Sequence, residues 1–199
     1  MGDKDAVRWP IDRLESIGGK TTIAWGRPRI IDTPEGKAVE FDGIGDGFLV
    51  DDHPLSGWPR FTLEIVFRPD AGGVKEQRFL HLHESGSNQR ILIETRLTDD
   101  DRWFLDTFIA SGSGEQALIA KDCLHPVGRW YRAALVYDGA EMRHYVDGAL
   151  ELSAALKFTP HLKGGTSIGV RSNKVFWFKG AIREIRFTPR ALSPGELLR

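Results

Sequence analysis

The chain has 199 residues, 41% hydrophobic and 28% charged, with 27 Lys and Arg set against 28 Asp and Glu for a formal net charge of −1. So even a balance argues against a nucleic-acid or anionic-membrane partner held by bulk electrostatics, and no run approaches the roughly 18 apolar residues of a membrane span. Cys123 stands alone, which excludes an internal disulfide, and a chain of this size buries roughly 70% of its unfolded surface without needing one.

From the N-terminus onward, apolar and polar residues alternate with a period of two at short intervals, while the 3.6 period is almost absent. That pattern predicts an all-β fold. The opening MGDKDAVRW is charged and has no apolar stretch of the kind a signal peptide requires. Strands are expected near 6–12, 21–25, 28–31, 37–42 and 47–51, with Gly43, Gly45 and Gly47 marking turns. A long strand follows over 61–68, then four in succession near 77–84, 89–97, 102–109 and 116–120. Strands over 130–137, 141–146 and 149–153 are joined by Asp138-Gly139 and Asp147-Gly148, the strongest short-range hairpin signal a sequence carries. Two more are expected near 166–170 and 180–187. Ser193-Pro194-Gly195-Glu196 fits a capping box and predicts one helical turn, with Leu192, Leu197 and Leu198 as its apolar contacts. No linker or compositional break divides the chain, so residues 1–199 are expected to form one domain.

Alternation within 77–120 sorts side chains onto two faces. Leu80, Leu82, Ile91, Ile93, Thr95, Trp103, Leu105, Thr107 and Ile109 fall on one; His81, His83, Leu92, Glu94, Arg96, Phe104, Asp106 and Phe108 fall on the other. The second face gathers His81, His83, Glu94, Arg96 and Asp106 beside aromatic rings. Such a surface suits carbohydrate, because fixed polar groups hydrogen-bond hydroxyls while rings stack on the apolar faces of sugars. It is equally the composition of an ordinary solvated sheet face with cross-strand ion pairs.

Several motifs together resemble the laminin-G-like, concanavalin A-like jelly-roll domains. They are Val7-Arg8-Trp9-Pro10-Ile11-Asp12, Ala38-Val39-Glu40-Phe41-Asp42-Gly43, Phe61 to Arg68, W-Y-x-x-A-L-V-Y-D-G from Trp130, and F-x-G-x-I-x-E-I-R-F-x-x-R-A-L-S from Phe178. The resemblance implies a two-sheet antiparallel jelly-roll sandwich whose concave sheet or rim loops carry the ligand. It also implies a secreted or cell-surface setting and a carbohydrate or glycosylated-protein partner. Glucanases of that architecture carry E-x-D-x-x-E on one strand. Here Glu64 is followed by Val66 and Glu94 by Arg96, so neither strand supplies the paired carboxylates of a retaining glycosidase. The expectation is therefore a non-catalytic binding module. The alternatives are a polysaccharide hydrolase or lyase built on Glu94 and Asp106, and a structural protein-interaction sandwich.

Calcium takes six to eight oxygens, and Asp42 and Asp46 of the F-D-G-I-G-D-G loop are the carboxylates placed to offer them. Many relatives carry Asp where this chain has Arg183, a cation that disfavours a second calcium site at that corner. Nothing in the sequence requires an organic cofactor. Among six tryptophans, Trp9, Trp103 and Trp130 fall within strand patterns and are expected in the core. Trp25, Trp58 and Trp177 fall at strand ends. Trp177 is the candidate for sugar stacking, since three adjacent aromatics at 176–178 cannot all point inward from one strand. His144, beside Met142 and Val146 in the alternation, is expected to pack rather than to bind.

Overall fold

The computed structural model describes residues 5–198. In chain order its strands are β1 (Val7–Pro10), β2 (Ser16–Ile17), β3 (Lys20–Trp25), β4 (Arg29–Thr33), β5 (Gly36–Asp42), β6 (Gly47–Val50), β7 (Phe61–Pro69), β8 (Glu76–Glu84), β9 (Arg90–Leu97), β10 (Arg102–Ser111), β11 (Gly114–Ile119), β12 (His125–Pro126), β13 (Tyr131–Tyr137), β14 (Glu141–Val146), β15 (Ala149–Ala155), β16 (Gly164–Ile168) and β17 (Lys179–Thr188). They form two antiparallel sheets. Sheet I has the order β15-β14-β13-β7-β17-β5-β4, with β1 also on β17; sheet II has the order β11-β10-β9-β8-β16-β6-β3-β2, with β12 on β10. This is the all-β fold that the alternation predicts and the two-sheet jelly-roll sandwich that the resemblance implies. No helix among the described residues is long and apolar enough to cross a membrane.

The inward-facing residues of both sheets fill one core. Phe67 of sheet I stacks on Phe79 of sheet II at 4.6 Å and meets Trp103 edge-on at 5.2 Å. Offset and edge-on aromatic pairs of this kind add about 0.5–1.5 kcal/mol beyond the area they bury. A polar bridge crosses the interior where Thr107 Oγ1 of β10 lies 3.0 Å from His144 Nδ1 of β14, and His144 is wholly buried. The packing role expected of His144 is thus met by a hydrogen bond between sheets.

Asp147-Gly148 turns with both residues at positive φ, 48° and 80°, the twist that joins β14 to β15 without splaying them. One expectation is corrected. Trp130 lies ahead of β13, half-buried beneath the Arg68 guanidinium at 5.7 Å, because the strand begins only at Tyr131. The capping box closes a single turn, with the Glu196 N–H on the Ser193 carbonyl at 2.9 Å and the Glu196 carboxylate taking the Ser193 N–H at 2.8 Å. It does not propagate into a helix, since the chain turns at once to bury Leu197.

The sheets differ in what covers their outer faces. On sheet I the C-terminal residues lie across β7, β13, β14 and β17: Leu192 and Leu197 pack on Ala134, Val136 and Tyr145. Beneath them Glu64, 1% exposed, is paired with Arg186 and accepts the Leu198 N–H at 2.6 Å. Among the described residues no corresponding segment covers β9 and β10 of sheet II, where Phe104 and Phe108 remain partly exposed.

Candidate functional site

The register of sheet II brings the expected face together. Asp106 lies opposite Glu94, Phe104 opposite Arg96 and Phe108 opposite Leu92. On the other side of β9, His81 lies opposite Leu92 and His83 opposite Arg90. Five predicted residues, His81, His83, Glu94, Arg96 and Asp106, therefore share the outer surface of three neighbouring strands. The two imidazoles stack at 5.4 Å with 25° between planes. Gly165 of β16 makes room for them, since a Cβ there would sit 2.9 Å from His83 Cε1.

A β-bulge between Arg78 and Leu80 adds a residue that alternation assigns to the opposite face. Counting back in twos from Leu82 and Leu80 puts Arg78 in the core. The bulge reverses that parity and sets Arg78 opposite Glu94. Its Nε donates to Glu94 Oε1 at 2.8 Å and its Nη2 to Glu76 Oε1 at 3.0 Å. Arg96 forms the second clamp, with Nη2 at 2.7 Å from Asp106 Oδ2 and 2.9 Å from Glu76 Oε1.

This layering changes the roles expected of the face. Glu94 and Asp106, each 3% exposed, and His81, 2% exposed, make the floor, while guanidiniums and rings make the surface. Burial is the main cause that raises the Glu94 carboxyl to about 7, with Arg78 opposing and Asp106 adding to the rise. Asp106 is also raised by burial, against the pull of Arg96. His81 is pushed down to about 3, first by burial and then by His83 and nearby arginines, so it is neutral at physiological pH.

Two adjoining depressions lie over this floor, of about 140 and 200 Å³, sharing Arg90 and Arg171. The Arg90 guanidinium carbon lies over the Phe108 ring at 4.6 Å and that of Arg78 over Phe176 at 4.1 Å. Arg171 and Phe176 come from residues 169–178, which connect sheet II to sheet I across β8. That connection is fastened by Ser172 N–H to His81 Nδ1 at 3.2 Å and by Arg78 N–H to the Phe176 carbonyl at 2.9 Å. Lys174 and Phe176 hold positive φ, 61° and 63°, which costs a non-glycine residue about 1–3 kcal/mol and is met where surrounding contacts impose it. Sequence reasoning missed Arg78, Arg90 and Arg171. The adjacent aromatics at 176–178 were the available signal for the connection.

Trp177 does not line either depression. It lies edge-on to Trp25 at 6.5 Å, with Lys174 Nζ 4.9 Å from the Trp25 ring, while its neighbour Phe178 is fully buried. The candidate metal loop is elsewhere again. Asp42 Oδ1 accepts the N–H groups of Ile44, Gly45 and Asp46 at 2.8, 2.9 and 3.1 Å. Asp46 accepts those of Arg27 and Asp42 at 2.6 and 3.1 Å. These carboxylates shape their own loop and offer a hard cation few free oxygens. Among the described residues no three His, Cys, Asp or Glu side chains gather as a metal site. Arg183 is engaged with Glu35.

A laminin-G-type sequence profile described as the concanavalin A-like lectin/glucanases superfamily matches residues 42–198, and the chain belongs to this family. Among curated proteins no sequence match was found. Among solved structures the chain is similar to domain 4 of AbnA, a GH43 extracellular arabinanase from Geobacillus stearothermophilus, in complex with arabinotriose. That similarity has a TM-score of 0.68 at 18% identity over 96% of this chain and 94% of that one. It is similar to the binding domain of Paraclostridial Mosquitocidal Protein 1, with a TM-score of 0.73 at 13% identity over 96% and 50% of the two chains. It is also similar to the binding domain of botulinum neurotoxin DC in complex with SialylT, with a TM-score of 0.68 at 10% identity over 96% and 49%. The chain spans about half the length of those toxin domains. At such identities the likeness establishes the fold.

Proposed function

We infer that the protein is a non-catalytic carbohydrate-binding module whose ligand lies on the outer face of sheet II. The observation that carries this reading is the open pair of depressions over β8, β9 and β10, where guanidiniums set over phenylalanine rings adjoin Leu92, Phe108 and Ile119. Rings and apolar side chains take the hydrophobic faces of sugars, and fixed N–H donors orient the hydroxyls. Two structural neighbours, the arabinanase domain and the botulinum neurotoxin binding domain, were solved with arabinotriose and SialylT respectively, which supports a carbohydrate partner. His81, His83, Glu94, Arg96 and Asp106 serve as the supporting floor and clamps of this surface.

A glycan array followed by calorimetry tests the reading. Binding is expected to weaken at least tenfold in Phe108→Ala with the fold intact. Failure of every glycan, or affinity indifferent to Phe108→Ala and Arg90→Gln, overturns it. One observation favours the hydrolase or lyase alternative: Glu94, beside Asp106, is raised to about 7, a value suited to a general acid. Turnover of any polysaccharide that Glu94→Gln abolishes would establish that alternative.

A further inference from the structure

The hydrogen-bond inventory of the face is lopsided toward donors. Arg96 is committed to Asp106 and Glu76. Arg78 spends Nε and Nη2 on Glu94 and Glu76, leaving Nη1 buried without a partner. Arg90 gives Nη1 to the Asn88 carbonyl at 2.8 Å, leaving Nε buried without a partner. The Arg171 guanidinium meets no acceptor among the described residues. His81 adds a fourth donor, because its Nδ1 accepts the Ser172 N–H, which puts the ring proton on a buried and unpartnered Nε2. The free carboxylate oxygen of the cluster, Glu94 Oε2, lies 3.8 Å from Arg96 Nη2.

Three guanidiniums thus converge where the depressions meet, and of the three only Arg78 is paired with carboxylates. Arg171 is held below its ordinary pKa by burial, and then by Arg78 and Arg90. The Arg90 and Arg78 guanidiniums are set over Phe108 and Phe176, so their N–H edges are presented in fixed directions, the arrangement that recognises a planar or tetrahedral oxyanion in bidentate fashion. A hydroxyl must both donate and accept; a carboxylate or sulfate only accepts, which matches what this surface lacks.

We propose that the saccharide recognised here carries an anionic group, a carboxylate or a sulfate, seated among Arg78, Arg90 and Arg171. This rests on the carbohydrate reading above and narrows it to acidic glycans. Arg171, on the connection over β8, is the specificity-determining residue. Without it the neutral and charged forms of a glycan are no longer distinguished.

The test is calorimetry with matched probes at low and physiological salt: a uronate oligosaccharide and its methyl ester, a sulfated oligosaccharide and its desulfated form, and neutral arabino-oligosaccharides. The charged member of at least one pair is expected to bind ten- to a hundredfold tighter, with the advantage shrinking as salt rises. The pair that responds tells carboxylate from sulfate. Arg171→Gln is expected to erase that advantage while leaving the melting temperature unchanged, and Arg90→Gln to reduce it. Neutral members binding as tightly as their charged counterparts would overturn this inference and leave the carbohydrate reading standing. An undiminished charge preference in both variants would do the same. No binding by any probe would remove both.

Discussion

The outer faces of the two sheets carry the same kind of chemistry to opposite ends. Each sets a buried glutamate against an arginine, Glu64 with Arg186 on sheet I and Glu94 with Arg78 on sheet II, and burial raises both carboxyls. On sheet I the C-terminal residues lie over the pair, and Leu198 N–H takes one carboxylate oxygen. On sheet II the pair is covered in part by Phe176 and the arginines around it, two of which have N–H groups left over. The difference teaches that a charged sheet face becomes structural or ligand-ready according to whether the chain itself supplies the cover.

The largest effect is expected where the cover is complete. Arg186→Ala leaves Glu64 buried without its cation and should cost about 3–5 kcal/mol in urea unfolding. A loss below 1 kcal/mol would mean that the two faces are alike in openness. Next comes pH. His53, His81 and His144 are held neutral, pushed down to about 4, 3 and 4, with burial the leading cause. The folded chain therefore binds fewer protons than the unfolded one below about 6.5, and the stability present above that pH is lost as it falls toward 4. Each histidine should cost about 2 kcal/mol between pH 7 and 5. Glu94 acts oppositely. With its carboxyl raised to about 7, it is more protonated folded than unfolded, so acidification from pH 7 to 5 returns about 2 kcal/mol. These four groups together are expected to lower stability by about 4 kcal/mol over that range, and Glu94→Gln should steepen the fall; a shallower fall in that variant would refute the assignment of Glu94 to the buried floor.

Leu197→Ala, at the sealed face, should cost about 2–3 kcal/mol and leave glycan binding untouched. Arg96→Ala, at the open face, strips Asp106 of its clamp and should cost about 1–3 kcal/mol while weakening binding. If the two variants swapped their effects on binding, the ligand surface would lie on sheet I. The smallest effect is expected at the turn loop. Asp42→Asn should cost about 0.5–1 kcal/mol, and adding or chelating calcium should leave glycan affinity unchanged. A calcium-dependent affinity would return Asp42 and Asp46 to the ligand site.

The alternation of apolar and polar residues determined the all-β class and placed five of the six proposed ligand residues on one face, because a strand's side-chain period is a property of the backbone alone. The Asp-Gly turns were equally legible, since the positive φ they need favours those residues locally. Arg78 was not, because a bulge shifts parity without a sequence mark, and Arg171 was not, because it arrives from a connection whose path depends on where β8 and β17 pack. Trp177 carried the composition of a rim residue, but only the fold could pair it with Trp25 away from the depressions. What lies next to what across strands far apart in the chain, and which face the last residues cover, follow from long-range packing that no local pattern encodes.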